Sequence, residues 1–501
     1  MSARTSLALR ALGGAIVLGA LGDALLRVTP WTVNLALWTA ALTAVALLCG
    51  VRDAVPPRRG VLFAFLPAMA AAAALAWRDS DTLYGLDFVA LLAALAWSFH
   101  YLRGGAVATA TIEDCARAGL GSAGNAAVGA PILVLGDVRW GELALPERSA
   151  PARQVAIGVV LAVPALAILG TLLAGADPVF ASVTREFIRF DITTVLSHLL
   201  VAACWAWLVA GWLRGALLAR EDAAGAALPE GGRLGIVAVG TAVGTVALLF
   251  LLFVVIQVRY LFGGAAIVQQ TTGLTYAEYA RQGFFQLVWV TVLTLPLLLA
   301  ADWLLDQRTE RDRRHFRLLA GLVLALLGVI VISALRRMSV YVAEFGYTEL
   351  RTYTTVFMLW LVLVLAWFGA TVLRGRRERF VFGVLTSGFG VLVLLNIANP
   401  DRRIAEANLA RLGTGERFDA RYLGWQLSAD AVPAILAELD QVPPADRCAV
   451  AQSLLTRWRA PGRDDWRGWN FSVAHARSAV RENAGELKRI ACATYDSRRE
   501  N

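Results

Sequence analysis

Long apolar runs alternate with short polar segments over the first four-fifths of the chain. A helix that crosses a bilayer needs roughly 20 mostly apolar residues, and runs of this kind predict about eleven spanning helices. From about residue 398 the apolar positions follow a helical period in a polar background, which indicates a separate helical module. The predicted spans are 8–26, 31–50, 60–77, 82–101, 154–175, 192–213, 234–257, 283–303, 316–335, 352–373 and 380–397.

This pattern predicts an all-α fold, a polytopic membrane helix bundle with a small C-terminal helical module. We expect four helices and a cytoplasmic loop over 1–150, a core of seven helices over 151–400, and the soluble module over 401–501. With 58% hydrophobic and 17% charged residues and a mean hydropathy of +0.60, the chain has too little charge to cover a soluble surface. The lipid bilayer is therefore its first predicted partner.

The first apolar run has two interpretations. Arg4 and Arg10 precede an apolar core, and Ala20-Leu21-Gly22 resembles a cleavage site, so the segment is either a spanning helix or a signal peptide. Both alternatives leave the following spans in the same orientation.

Arginine distribution predicts that orientation. With the N-terminus inside, the inner segments hold 22 arginines and the outer loops hold nine, as the positive-inside rule expects. The net charge of +9 therefore reads as a topology signal, and we predict no nucleic-acid partner. We expect a bacterial cytoplasmic (inner) membrane protein with a cytoplasmic N-terminus and, after eleven spans, an extracytoplasmic module.

Motifs for cofactors and metals are weak in this chain. Gly119-x-Gly121-x-x-Gly124 matches the dinucleotide fingerprint, but no strand precedes it, so we interpret it as a flexible or interfacial part of the loop after the fourth span. The four histidines are too scattered for a metal site. We therefore predict neither a metal nor a cofactor.

The polar tail contains two cysteines, Cys448 and Cys492. An oxidising compartment would let them pair as a disulfide, and two buried thiols in a small helical module are the alternative. We interpret two acids of the tail as helix-end charges and four aromatic residues as its core. These are Asp430 and Asp440, and Trp458, Trp466, Trp469 and Phe471.

The stretch TYAEYARQGFFQL places polar residues directly before an apolar run. Thr275 and Glu278 form a capping box, and tyrosines at this depth suit the headgroup region. Tyrosine, glutamate and arginine recur before the tenth span, in residues 341–351. Outer-face polar residues therefore either cap and anchor helices, or form one site for an acidic group or anionic headgroup.

The predicted binding residues of that outer-face cluster come from several outer segments. They are Asp177, Tyr260, Tyr276, Glu278, Tyr279, Arg281, Glu344, Tyr347, Glu349 and Arg351. Structural roles at helix ends are expected for Thr275, Gly283, Asn396, Asn399 and Pro400.

Four segments carry a family resemblance. ADPVFA, TYAEYARQGFFQL, FGYTELR and the NIANPD junction resemble a bacterial family of polytopic membrane proteins, domain of unknown function family 4173, which is related to family 4153. The resemblance covers most of the chain from about residue 150 onward. It implies a membrane architecture and no particular activity.

Three classes of function fit these features. The first is a structural, sensory or regulatory protein of the cell envelope, with an envelope protein as partner of the module. The second is a transporter or lipid flippase, which the scarcity of polar groups near the middle of the spans disfavours. The third is a membrane enzyme acting on a lipid-linked substrate at the outer leaflet, with a glutamate as base and an arginine as anion clamp. The base would be Glu278, Glu344 or Glu349, and the clamp Arg281 or Arg351. We prefer the first class and lean away from an enzyme.

Overall fold

A computed structural model describes most of the chain. The described ranges are 1–50, 58–142, 192–219, 234–272, 284–305, 309–412, 419–459 and 465–492, with a few positions between 169 and 180, and only the backbone is described for 258–272. The helices in the apolar part are α1 (Ala3–Leu26), α2 (Val33–Gly50), α3 (Arg58–Trp77), α4 (Asp81–Leu102), α5 (Ile112–Ile132), α6 (Ile192–Leu217), α7 (Ile236–Thr272), α8 (Phe284–Leu304), α9 (Glu310–Phe345), α10 (Glu349–Thr371) and α11 (Phe380–Ala398). The helices of the tail are α12 (Pro400–Leu409), α13 (Val432–Ala437), α14 (Pro444–Trp458), α15 (Phe471–Glu482) and α16 (Ala484–Ile490).

Hydropathy confirms the membrane class of the fold. Among the described residues, 10 helices are long and apolar enough to cross a bilayer, and α2 is a shorter apolar helix. The chain is therefore a polytopic helical bundle and a multi-pass membrane protein. The predicted span 154–175 lies almost entirely outside the described residues.

Helix α5 differs from the sequence-based prediction. The segment interpreted as a flexible or interfacial loop is helical, and Ile112–Asp137 is long enough to cross a membrane. Its hydropathy of 1.4 is the lowest among the candidate spans, because small residues replace large apolar ones. The packing of α5 explains those small residues, as described below.

Reporter fusions can decide which segments cross the membrane. The arginine asymmetry requires that the chain crosses the membrane once between residues 104 and 191, because two crossings would move the later arginine-rich loops outside. The crossing segment is either α5 or the run 154–175. We expect fusions after Arg314 and Arg377 to read cytoplasmic, and one after residue 420 to read extracytoplasmic. A fusion after Glu142 then shows which segment crosses. A cytoplasmic reading after residue 420 would overturn the predicted orientation.

The chain forms two compact units, which are described separately. The first contains Met1–Leu66, Ala94–Gly105 and Ala116–Ala223, and the second contains Pro67–Ala93, Ala106–Cys115 and Ala224–Asn501. Helices α3, α4 and α5 contribute to both units, and the predicted boundary between residues 150 and 151 lies outside the described residues. The predicted boundary between 400 and 401 falls at the start of α12.

Close backbone packing joins α5 and α6 in the first unit. A Cβ atom on Gly129 would lie 2.8 Å from the Cα of Gly211, and one on Gly215 would meet the Asn125 side chain at 2.5 Å. Small residues at such positions let two membrane helices approach closely. The buried carboxylate of Asp137 then accepts from Arg214 at 3.0 Å. This packing accounts for the glycine content of α5.

Two hydrophobic cores stabilise the second unit. The first lies between α7, α8, α9 and α10 and includes Leu298, Leu327 and Phe368, each with 0% exposure. The second lies within the tail and includes Ala405 and Val450, both also fully buried. The tail therefore has a core of its own, as expected for a small helical module.

The module contains one of the two predicted states of its cysteines, a disulfide, but three of its four aromatic residues differ from the prediction. Cys448 on α14 is bonded to Cys492, which follows α16, with their Cα atoms 4.9 Å apart. The predicted core position of Trp458 is confirmed at 8% exposure. It is wrong for the other three aromatics, which are exposed at 62%, 46% and 49%. These are Trp466, Trp469 and Phe471.

Candidate functional site

A buried ion pair connects the module to the end of α3. The Arg78 guanidinium donates to Asp430 Oδ1 at 2.8 Å, and the two side chains are only 9% and 2% exposed. The same arginine donates to the backbone oxygen of Asn396 near the end of α11, at 2.7 Å. Asp430 does stand beside an N-cap, Ser428, but the sequence-based interpretation missed its burial and its partner. One arginine thus holds two spanning helices and the module together.

Side chains of the module also cap α3. Asn470 Nδ2 donates to the backbone oxygens of Leu75 and Arg78, at 3.1 and 2.8 Å, while its Oδ1 accepts from Val473 N at the start of α15. The Ser472 hydroxyl donates to Asp430 and is 2.8 Å from the Trp77 oxygen. Helix ends leave backbone groups without partners, and here the module supplies them.

This arrangement explains the exposed aromatics. Trp469 and Phe471 flank Asn470, so they lie beside the end of a candidate spanning helix. Tryptophan and other amphipathic rings are enriched where spanning helices meet the headgroups. A position at the membrane boundary therefore suits them better than the module core.

Several carboxyl groups surround the ion pair. Asp79 accepts from Ala429 N at 3.0 Å, and its burial raises its pKa to about 6. Asp401 is fully buried and accepts from Ser428 N at 3.2 Å, and burial raises its pKa above the usual value. The carboxyl group of Glu349 lies close to that of Asp401, and the two groups interact electrostatically.

The network continues into the spans. Asp87 on α4 is 1% exposed, and the Asn396 amide donates to both of its carboxylate oxygens at 3.1 and 3.2 Å. An ionisable residue within a spanning helix is costly and points to a function. Because Asn396 also accepts from Arg78, Asp87 is linked through two residues to Asp430 in the module.

We call this set the polar junction, and all of its members belong to the second unit. It comprises Arg78, Asp79, Asp87, Glu349, Asn396, Asp401, Asp430 and Asn470. Among the described residues no group of three or more histidines, cysteines or acids has a geometry that could hold a metal ion.

Asn399 joins the last span to the module. It has a positive φ of 53°, ends α11, and accepts from Arg402 N as the N-cap of α12. Pro400 follows at the first turn of α12, where its missing N–H costs nothing. Two helices therefore share a single connecting residue, consistent with the structural roles expected for Asn399 and Pro400.

A cleft of about 670 Å³ lies beside the polar junction, between the end of α9 and the module. Tyr347 and Arg351 line it together with Arg411. Arg351 donates to the Phe345 and Gly346 oxygens at 2.9 and 2.6 Å. Arg411 likewise donates to the Val342 and Ala343 oxygens. Both arginines therefore cap the C-terminus of α9.

The predicted outer-face residues have different surroundings. Glu349 lies in the polar junction, Tyr347 and Arg351 line the cleft, and Glu344 is exposed. Asp177 accepts from Phe180 N in the first unit. The remaining members, together with Thr275 and Gly283, lie outside the described residues or have no described side chain. These are Tyr260, Tyr276, Glu278, Tyr279 and Arg281. A single site for all ten stays a prediction.

Comparison with known proteins identifies the family of this chain. A family model described as "Domain of unknown function (DUF4153)" matches residues 64–438. The chain belongs to this family. The match does not show a relation to family 4173, and no curated protein and no solved structure matches the chain.

The DUF4153 region contains most of the polar junction. Residues 64–438 include Arg78, Asp87, Asp401 and Asp430, whereas Asn470 lies beyond the matched region. The ion pair that joins the spans to the module therefore lies within the DUF4153 domain.

Sequence reasoning missed most of the polar junction. Arg78 and Asp430 are 352 positions apart, and no local pattern connects them. One available signal was Asp87, an acid inside an apolar run. Another was Arg78 itself, an isolated arginine in the short turn between two predicted spans.

Proposed function

We propose that this DUF4153 protein is a structural, sensory or regulatory protein of the bacterial cell envelope rather than an enzyme. The observation that carries this proposal is the buried Arg78–Asp430 pair, which fixes the module to the ends of two spanning helices. We expect a change in the packing of those helices to reach the module, because Arg78 contacts both Asn396 and Asp430 directly. This coupling is what a sensory or regulatory protein requires.

Two of the residues considered for catalysis are engaged in other contacts. The Glu349 carboxyl lies against the buried carboxyl of Asp401, and Arg351 caps α9. A general base needs to reach a substrate proton, and an anion clamp needs free N–H groups. These contacts favour the non-enzymatic proposal, although Glu278 and Arg281 lie outside the described residues.

The proposed orientation puts the N-terminus in the cytoplasm and the module outside the bacterial cytoplasmic membrane. The arginine distribution supports it, and so does the Cys448–Cys492 bond, because disulfides persist in oxidising compartments. An extracytoplasmic module would meet an envelope protein as its partner.

Complementation of a strain that lacks the gene tests the function. Asn470→Ala removes the two bonds to α3 and should abolish rescue of survival under envelope stress at normal protein levels. Asn483→Ala is the matched control, because Asn483 is an exposed residue at the other end of α15 whose side chain donates to Ala479 O of the same helix. It should rescue fully.

Variants of the candidate catalytic glutamates distinguish the proposal from the enzymatic alternative. In the same assay, Glu278→Gln and Glu344→Gln should rescue if the protein has no catalytic carboxylate. Loss of rescue by either variant, with rescue retained by Asn470→Ala, would contradict the proposal and favour an enzyme.

A further inference from the structure

An apolar groove runs along the spanning helices of the second unit. It has a volume of about 670 Å³ and is lined by residues of α4, α8, α10 and α11, among them Leu86, Trp289, Phe357 and Leu392. On α4 the lining extends from Thr82 to Ala93, which is roughly 16 Å of helix. One leaflet contributes about 15 Å of hydrocarbon, so the groove has the length of a lipid chain.

The groove has one polar end. The hydroxyl groups of Thr82 and Tyr353 line it there, and the Tyr353 hydroxyl lies 3.1 Å from that of Ser80. The exposed Asp81 begins α4 directly before Thr82. Among the described lining residues there is no arginine or lysine. The charged residue next to this end of the groove is therefore an acid.

This charge distribution selects among membrane lipids. An anionic headgroup would be repelled by Asp81, whereas a primary ammonium group can pair with its carboxylate and donate hydrogen bonds to it. The hydroxyl groups of Thr82 and Tyr353 can donate hydrogen bonds to the phosphate or ester oxygens of a phospholipid. The surrounding lipid supplies the acyl chain, since the four helices that line the groove are candidate membrane spans.

We propose that the groove is a binding site for phosphatidylethanolamine. One acyl chain lies along α4 and α11, and the ammonium group pairs with Asp81. The site uses residues of the DUF4153 region only and does not depend on the proposed function.

Native mass spectrometry of the full chain in detergent tests this site. The probes are phosphatidylethanolamine, phosphatidylcholine and phosphatidylglycerol with identical acyl chains. We expect retention in that order, because phosphatidylcholine keeps the positive charge but has no N–H donor, and phosphatidylglycerol is anionic. Asp81→Asn should reduce the preference for the ethanolamine lipid by up to about fivefold, as for an exposed ion pair. Asp440→Asn, at an exposed acid of the module, should not change it.

Two glycines of α11 provide a test position and a matched control for binding of the acyl chain. Gly388 lines the groove, and a Cβ there would lie 3.5 Å from the Trp360 ring, whereas nothing is within 4 Å of a Cβ on Gly390. Gly388→Leu should lower ethanolamine-lipid binding by about tenfold, because its side chain displaces methylene groups of the lipid. Gly390→Leu should leave binding unchanged, and helical circular dichroism verifies that both variants fold.

Two results would contradict the proposed phosphatidylethanolamine site. Equal retention of all three lipids by the wild type, unaffected by Gly388→Leu, would mean that only bulk lipid contacts this surface. A preference for phosphatidylglycerol would mean that Asp81 does not recognise the headgroup. The Asp81→Asn comparison decides the question independently should Gly388→Leu fail to fold.

Discussion

Replacing Arg78 with methionine should lower the free energy of unfolding by about 3–5 kcal/mol. Methionine keeps the length of the side chain but removes the charge, so the carboxylate of Asp430, 2% exposed, stays buried without its cation. Breaking a buried pair in this way is costly because the remaining charge is neither solvated nor neutralised. Unfolding in mixed micelles of a mild detergent and dodecyl sulfate, followed by circular dichroism, measures the change.

Arg402 provides the matched control for this experiment. It bonds Glu406 at 2.7 Å, close to the distance of the buried pair, but the side chains are 59% and 44% exposed. Arg402→Met should therefore cost at most about 1 kcal/mol. Adding Asp430→Asn to Arg78→Met should recover part of the loss, since both charges are then absent. Equal losses for Arg78→Met and Arg402→Met would show that the buried pair does not hold the module.

Removing the disulfide should have the second-largest effect. Cys448 and Cys492 are separated by 44 positions, and closing a loop of that length stabilises a fold by about 3–4 kcal/mol in the chain-entropy model. We expect the double variant Cys448→Ser/Cys492→Ser to lower the free energy of unfolding by this amount. Thermal unfolding of the detergent-solubilised protein, with and without reductant, measures it.

Mass spectrometry checks the bond itself. In protein purified without reductant, neither Cys448 nor Cys492 should react with iodoacetamide until a reductant is added. Cys204 is also free, but it lies within the spanning helix α6, so a sample that is reduced before alkylation serves as the control for reagent access. Alkylation of both tail cysteines before reduction would rule out the disulfide and remove one support for an extracytoplasmic module.

Runs of apolar residues in the sequence were sufficient to predict most of the spanning helices. An apolar run of 20 residues has few alternatives to a spanning helix, because its backbone groups must be satisfied internally in lipid. Helix α5 escaped this criterion since its interface with α6 uses Gly129 and Gly211, which contribute little hydropathy. The signal for such a helix is the spacing of its small residues, Gly121 and Gly129 among them, rather than mean hydropathy.

The polar junction could be predicted only in part. Asn399 and Pro400 have local sequence signatures, since asparagine tolerates the left-handed region and proline suits the first turn of a helix. The partners of Arg78 have none, because contacts between residues hundreds of positions apart depend on how complete helices pack. Glu349 shows the same limit: its place at a helix entrance was predictable, but its proximity to Asp401 was not.

A connection of one residue between two helices, such as Asn399 between α11 and α12, transmits rotation as well as position. Because Asn399 ends α11 and begins α12 without intervening chain, no slack exists in which a turn of the last membrane helix could be absorbed. We therefore expect a tilt of α11 within the bilayer to rotate α12 with it. Spanning helices accommodate changes in bilayer thickness by tilting, so such changes are expected to move α12.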